Sequence, residues 1–88
     1  MTSKIIEYDL KSPNRNYDSV YEVIKSYPVW AHITQSTWFV KTNESCVQIR
    51  DKIKKEIDSN DTVFVATLNG EAGWTNAICD SDYLKNNL

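Results

Sequence analysis

The chain has 88 residues, ten of them basic and twelve acidic, which gives a formal net charge of −2. This length supports one domain, because two separate cores would each fall near the roughly 40 residues below which small folds need disulfides or metals. The balanced charge and ordinary apolar fraction exclude a disordered or fibrous protein. They also argue against a generic nucleic-acid coat, while leaving room for a local basic patch.

The cysteines and the first residues bear on where the protein works. Cys46 and Cys79 lie far apart and form no C-x-x-C motif, so neither a disulfide framework nor a zinc knuckle is indicated. The chain reaches Glu7 before any long apolar run, which is unlike a signal peptide. No stretch approaches the ~20 apolar residues of a membrane span. We therefore expect a cytoplasmic protein with no membrane partner.

The first predicted elements are a strand and a polar loop. Over Lys4–Leu10, the apolar residues Ile6 and Tyr8 occupy alternate positions, which is the period of a strand. Tyr8 and Asp9 should therefore point to opposite faces of the sheet. The following residues, Lys11–Asn16, are rich in turn formers and predict a loop.

A helix and a β-rich segment follow the loop. The spacing of apolar residues predicts an amphipathic helix over Tyr17–Tyr27, with Asn16 as its N-cap and Pro28 as its end. Trp30–Thr42 is rich in aromatic and β-branched residues. Its pattern leaves open whether it forms one bent strand or two short strands around Gln35-Ser36.

A second helix and another strand complete the predicted core. The second helix is expected over Ser45–Asp58, where Ser45 and Gln48 have the spacing of a capping box. The next strand is expected over Thr62–Leu68. The core of the domain therefore spans residues 4–68, within a single domain of residues 1–88.

The C-terminal residues 69–88 are less regular. Asn69-Gly70 is a strong turn signal, after which the backbone should reverse. The rest is predicted to form a turn, a short edge strand near Trp74–Ile78, or a short helix over Ser81–Leu88. The pattern does not choose among these alternatives.

This order of elements predicts an α+β fold in which two helices cover one face of an antiparallel sheet. The second face would then carry Ile5, part of the segment Trp38–Val40 and half of the last strand. That is a large apolar surface for a monomer. We therefore expect a homodimer joined through the open sheet face or its edge, with two-fold symmetry.

Several of these residues occur together in a known group of small proteins. An apolar strand ending in Tyr8-Asp9-Leu10 is followed by a polar loop with Arg15, a helix, and a strand region containing Ser36, Trp38 and Phe39. In this order the chain resembles the CRISPR-adaptation endonuclease family and the related VapD-like toxins. It is most similar to short uncharacterised relatives labelled SinR-family proteins, and the resemblance covers residues 4–68.

The resemblance implies a ferredoxin-like βαββαβ fold, a symmetric dimer and an association with nucleic acid. It also implies that Asp9 matches the metal-binding aspartate of the family, with Mg²⁺ or Mn²⁺ as the cofactor. Two features depart from the family. Where CRISPR members often have two basic residues in the loop after the aspartate, this chain has Arg15 flanked by Asn14 and Asn16, and the chain is acidic overall.

The chemistry expected at Asp9 is hydrolysis of a phosphodiester. A divalent ion bound by carboxylates can neutralise phosphate charge and activate water. A single aspartate makes a poor site, so two Asp9 side chains would have to meet across a dimer axis, with Glu7 as an outer partner. In the alternative, Asp9 only caps the loop by accepting backbone hydrogen bonds.

Four further residues are candidates for contact with nucleic acid: Lys11, Ser12, Arg15 and Ser36. An arginine beside Asp9 could clamp a phosphate, and the hydroxyls could hydrogen-bond to one. In the alternative, the first three belong to an exposed loop and Ser36 ends a strand. The tryptophans could stack on bases, but core or dimer contacts are the favoured interpretation.

The sequence thus supports two functions. The first is a metal-dependent endoribonuclease or endonuclease acting as a homodimer through Asp9. The second is a catalytically inactive dimer of the same fold that binds RNA, DNA or a partner protein in a defence or mobile-element system. Enzymes that use nucleotide cofactors are excluded, because the chain has only two glycines, too few for a glycine-rich phosphate loop.

Overall fold

The computed structural model describes residues 1–13 and 15–88, so residue 14 of the predicted loop lies outside the described part. Over these residues the chain forms a small α+β domain with four strands and three helices. The strands are β1 (Thr2–Asp9), β2 (Val29–Thr34), β3 (Thr37–Thr42) and β4 (Thr62–Thr67), and the helices are α1 (Asp18–Lys25), α2 (Cys46–Lys54) and α3 (Ser81–Asn87).

The four strands form one antiparallel sheet in the order β2-β3-β1-β4. The first strand is therefore central, and Ile5 lies opposite Phe39 of β3 on one side and Ala66 of β4 on the other. The β-rich segment is two strands joined by a tight turn at Gln35-Ser36, which resolves the alternative left open by the sequence.

One face of the sheet packs against α1 and α2, as predicted. Alternate residues of β1, including Ile6 and Tyr8, point to this face, while Asp9 is exposed on the other. The buried residues of this helix-side core are Ile6, Tyr8, Tyr17, Val20, Ile24, Tyr27, Trp38, Val40, Ile49 and Ile53. Each large side chain buried here stabilises the fold by about 1.5–3 kcal/mol relative to its exposed state.

The C-terminal segment covers part of the second face of the sheet. Phe39 and Ala31 are buried there together with Leu84 of α3, and Trp74 packs against the same group. The β2–β3 half of the face that was expected to be open is therefore covered by the chain's own C-terminal segment. Residues 69–88 take that place because Leu84 supplies one buried apolar side chain and Trp74 a second, partly buried one.

The tail does not form the edge strand that was one of its predicted alternatives. Gly70 has φ of +94°, in the left-handed region that favours glycine, and Asn69 Oδ1 accepts a hydrogen bond from the Glu71 N–H at 3.0 Å. Farther on, Ile78 donates one backbone hydrogen bond to the Ile33 carbonyl of β2 at 2.9 Å. The short-helix alternative is the one observed, as α3.

The helix boundaries differ slightly from the prediction. Helix α1 begins at Asp18, so its N-cap is Tyr17 and not the predicted Asn16, although the Asn16 side-chain oxygen accepts from the Asp18 N–H at 2.8 Å. Helix α2 ends at Lys54, four residues before the predicted end. Its last turn tightens, with the Glu56 N–H bonding to the Ile53 carbonyl at 2.9 Å, and the following backbone turns towards β4.

The start of α2 carries the predicted capping box. Ser45 Oγ accepts from the Gln48 N–H at 3.1 Å, and Gln48 Oε1 accepts from the Ser45 N–H at 2.8 Å. Ser45→Ala is expected to lower the free energy of unfolding by about 1 kcal/mol, because the Gln48 N–H loses the side-chain oxygen that accepts from it. Urea denaturation would measure the change. Ser59→Ala, at an exposed serine of the α2–β4 turn, is the matched control, and an equal loss in both variants would contradict the assigned cap.

None of the helices in the described residues is long and apolar enough to cross a membrane.

Candidate functional site

Asp9 lies at the end of the sheet where three connecting segments meet. It is the last residue of β1, opposite Thr62 at the start of β4, and the β2–β3 turn lies on the other side of β1. This end of β1 borders an open cleft of about 600 Å³. The cleft is lined by Glu7, Tyr8, Asp9, Leu10, Ser12, Pro13, Arg15, Tyr17, Tyr21, Gln35 and Ser36.

Four of the five predicted site residues line this cleft: Asp9, Ser12, Arg15 and Ser36. The fifth, Lys11, lies beside it and donates from Nζ to Asp9 Oδ2 at 2.7 Å. This contact raises the pKa of Lys11 above its usual value. The Asp9 side chain remains 65% exposed, so solvent reaches its carboxylate.

Arg15 and Ser12 are both engaged by a residue outside the predicted set, Asp58. The Arg15 guanidinium forms an ion pair with Asp58 Oδ1 and also donates to the Glu56 carbonyl at 2.9 Å. The Ser12 hydroxyl donates to Asp58 Oδ2 at 3.0 Å. Lys11 and Arg15 are exposed, as the loop alternative expects, and Ser12 and Arg15 in addition bond this loop to the turn after α2.

A second carboxylate, Asp61, holds the backbone of the same loop. It accepts from the Lys11 N–H at 2.8 Å, from the Tyr17 hydroxyl at 2.9 Å and from the Asp58 N–H at 2.8 Å. Desolvation opposes its charge, but these hydrogen bonds together lower the pKa of Asp61 below its usual value. The sequence marked this region only as a turn, because its partners lie more than forty residues away.

These contacts predict a loss of stability in acid. Asp61 and Glu44 both have lowered pKa values in the fold, Glu44 through hydrogen bonds from Lys52 and Tyr27. A lowered pKa means that the charged form favours the native state, so this contribution is complete above the ordinary carboxyl range, about pH 4–4.5, and is lost as pH falls through the lowered values. Thermal unfolding between pH 7 and pH 3 would measure the decline.

The control for that measurement is Asp61→Asn. Its melting temperature should be lower at pH 7 and should fall less between pH 5 and pH 3 than that of the wild type. An unchanged pH dependence in this variant would contradict the assigned role of Asp61.

The floor of the cleft is aromatic and uncharged. The Tyr8 hydroxyl accepts from Trp38 Nε1 at 3.0 Å and donates to the Gln35 carbonyl at 3.1 Å. Burial raises the pKa of Tyr8 to about 12, with the Trp38 hydrogen bond acting in the opposite direction, so the phenol stays protonated at neutral pH. Trp38 is 2% exposed, and its ring stacks on that of His32 with 3.8 Å between the ring centroids. This tryptophan therefore belongs to the core, as favoured, and its ring is not free to stack on a base.

Ser36 belongs to the β2–β3 turn. Its carbonyl accepts from the Tyr8 N–H at 3.1 Å, which extends the pairing of β1 with this turn, and its N–H donates to Thr34 Oγ1 at 3.3 Å. Ser36 therefore has the structural role at the end of a strand that was its alternative interpretation. Its hydroxyl makes no hydrogen bond within the described residues, so it adds a donor and acceptor to the wall of the cleft.

The carboxylates of the described residues do not form a cluster of three or more metal-ligating groups. Glu7 and Asp9 both line the cleft, but Glu7 accepts from Thr37 Oγ1 and Asp9 pairs with Lys11. Magnesium and manganese take oxygen ligands, and one ammonium-paired aspartate supplies too few of them. The donor set of one chain therefore does not fit a divalent ion without a second copy.

No protein-family model matches the chain.

Proposed function

We propose that the protein is a divalent-metal-dependent endoribonuclease or endonuclease that acts as a homodimer through Asp9. The observation that carries this proposal is the convergence of Asp9, Ser12, Arg15 and Ser36 on one cleft, although they come from two separate connections and a strand end. The Arg15 guanidinium and the two hydroxyls are donors suited to phosphate oxygens, and the exposed Asp9 carboxylate would need a cation between itself and the phosphodiester.

We further propose that the fold is ferredoxin-like. The first six elements follow the order βαββαβ, and the antiparallel sheet has the order β2-β3-β1-β4 with both long helices on one face. Helix α3 and its preceding segment are then an addition to that fold on the opposite face. This arrangement leaves the end of β1 accessible.

The proposed dimer uses the β1–β4 half of the second sheet face. Phe64 is 60% exposed there and lies opposite Glu7, two residues from Asp9 along β1. Ile5 and Ala66, which are only partly buried, continue the apolar strip. Covering this strip with a second copy about a two-fold axis would remove apolar surface from water and bring the two Asp9 residues to the same interface.

In such a dimer the two Asp9 carboxylates would hold Mg²⁺ or Mn²⁺. A bound ion would supply charge neutralisation for the phosphate and a nucleophilic water. The chain's own contribution would be to place the carboxylates and to orient the phosphodiester with the hydroxyls of Ser12 and Ser36.

A second candidate function is a catalytically inactive dimer that binds nucleic acid or a partner protein. The observation that favours it is the engagement of Arg15 and Ser12 by Asp58, together with the pairing of Lys11 with Asp9. In this candidate the charged groups around the cleft serve mainly to hold the loop in place. The cleft would then bind the nucleic acid or partner protein without cleaving any covalent bond in it.

A cleavage assay with Asp9→Asn tests the leading proposal. Labelled RNA and DNA would be incubated with the wild-type protein in Mg²⁺, in Mn²⁺ and in chelator. Cleavage is expected only with metal, and Asp9→Asn should reduce its rate by roughly a hundredfold or more, since metal-bound charge stabilisation contributes several kcal/mol.

Asp51→Asn is the matched control, because it removes one carboxylate that pairs with Arg50 on the exposed surface of α2. It should cleave at the wild-type rate. Activity that survives both chelation and Asp9→Asn would rule out the metal mechanism. Sedimentation equilibrium would test the dimer, and a particle with the mass of one chain at tens of micromolar would remove the shared site.

A further inference from the structure

We propose that Asp58 is an internal competitor for nucleic acid at the cleft, and that a bound phosphodiester displaces its carboxylate from Arg15 and Ser12. The inference rests on the proposed binding of nucleic acid at the Asp9 cleft. It assigns a role to a residue that the sequence placed only at the end of a helix and in a turn.

The geometry of Asp58 carries the inference. One carboxylate oxygen receives the Arg15 guanidinium, and the other accepts the Ser12 hydroxyl at 3.0 Å. A phosphodiester also presents two anionic oxygens on one centre, and guanidinium and hydroxyl donors bind both kinds of group. Asp58 therefore satisfies the same two donors that would otherwise hold a phosphate.

The Asp58 main chain is held independently of Arg15. Its N–H donates to Asp61 Oδ2 at 2.8 Å, and the Asp61 N–H donates back to the Asp58 carbonyl at 3.1 Å. The loop carrying Arg15 is likewise held by Asp61 through the Lys11 N–H and the Tyr17 hydroxyl. The side-chain contacts of Asp58 can therefore be exchanged while the backbone of both segments stays in place.

The ion pair is also accessible to a competing ligand. The side chains of Arg15 and Asp58 are 36% and 33% exposed. A pair with this exposure contributes at most about fivefold to an equilibrium constant. Phosphates of a polyanion can displace such a carboxylate, but the competition lowers the apparent affinity.

Binding of a fluorescent oligonucleotide of about 12 nucleotides would test the inference, with RNA and DNA of the same sequence as separate arms. Chelator would be present so that binding is measured without cleavage. Asp58→Asn should bind tighter than wild type by roughly three- to tenfold, because Arg15 and one hydroxyl become available and one negative charge is removed.

Three comparisons separate this mechanism from a general change in charge or structure. Asp51→Asn removes the same charge at a surface pair outside the cleft and should stay within about twofold of wild type at moderate salt. Asp58→Glu should restore the wild-type affinity. Adding Asp58→Asn to Arg15→Gln should not raise the affinity for the oligonucleotide by a comparable factor.

The salt dependence provides a readout that a purely structural role would not change. Because Arg15 contacts a phosphate in both bound complexes, Arg15→Gln should reduce the slope of log affinity against log salt by about 0.7 for a single strand, in the wild-type background and in Asp58→Asn. In the wild-type chain, the Nε–Hε resonance of Arg15 should shift when the oligonucleotide saturates the protein. This measurement does not depend on whether a variant folds.

The outcomes distinguish the inference from the proposed function. If wild type binds through Arg15 but Asp58→Asn matches Asp51→Asn, the competition is absent and the cleft remains a binding site. An Arg15 resonance that does not move on saturation would also overturn the inference. If neither the wild type nor any variant binds RNA or DNA, both the inference and the proposed function fail.

Discussion

Phe39→Ala is expected to lower the free energy of unfolding by about 3–5 kcal/mol, a large share of the ~5–15 kcal/mol that stabilises a small domain. Phe39 is fully buried between the sheet and the C-terminal segment, where it packs with Ala31 and Leu84. Removing its ring leaves a cavity that α3 cannot fill, since Leu84 is the one buried residue of that helix. Chemical denaturation monitored by far-UV circular dichroism would measure the loss.

Phe64→Ala provides the matched control for this prediction. Phe64 lies on the same face of the sheet, but its side chain is 60% exposed in the single chain. At concentrations where the protein is monomeric, this substitution should change the free energy of unfolding by less than about 1 kcal/mol. Equal losses in the two variants would show that the C-terminal segment does not cover Phe39 in solution.

Removing residues 69–88 is expected to make the remaining chain unfold or associate at concentrations where the full chain stays in solution. The deletion uncovers Phe39 and Ala31, together with the partly buried Val29 and Ile33 of β2. It also removes the backbone hydrogen bond from Ile78 to that edge strand. An exposed apolar face beside an open strand edge favours contact between chains.

Thermal unfolding and sedimentation velocity would test the deletion. The shortened chain should lose its cooperative transition below about 40 °C or sediment as aggregates, given that a loss of 1 kcal/mol lowers the melting temperature of such a domain by about 4–8 °C. A shortened chain that remains monomeric, with the melting temperature of the full chain, would show that residues 4–68 form an independent core.

The regular elements of the core were predictable because their apolar residues repeat with a clear period. Tyr8 and Asp9 lie on opposite faces as alternation requires, and the Ser45–Gln48 capping box marks the start of α2. The end of α2 was not predictable from its pattern, since Ile57 continues the apolar spacing but lies beyond the last helical residue, Lys54. The residues just after this boundary contact the distant loop after β1, where Arg15 binds the Glu56 carbonyl and the Asp58 carboxylate.

The role of the C-terminal segment could not be predicted for a similar reason. Helix α3 has seven residues and buries only Leu84. Its sequence therefore shows no periodic apolar pattern that would predict which face packs against the sheet. Trp74, Cys79 and Leu88 also pack against this cluster, but they are only partly buried and show no regular spacing. Which face of the sheet these residues cover depends on the strand order, and that order cannot be predicted from the local sequence of the C-terminal segment.

The candidate site was predicted in part. Asp9, Ser12 and Arg15 could be grouped because they are close in sequence, and Ser36 was added through the family resemblance. Asp58 was missed because it pairs with Arg15 across 43 residues of chain, and nothing in a turn-forming segment identifies its partner. A covarying pair in an alignment is the kind of signal that would have found it.

The central position of β1 has a consequence for how the protein forms during synthesis. Lys4 pairs with Thr67, 63 residues later, so the inner strand cannot complete its pairing until β4 has left the ribosome. At translation rates of about 5–20 residues per second, the side of β1 that later meets β4 stays unpaired for roughly one to five seconds after β3 is available. Folding of such a distant pairing is also intrinsically slow. A stalled or prematurely released chain would therefore present an open strand edge to other nascent chains, and it would lack the turn that anchors the loop beside Asp9.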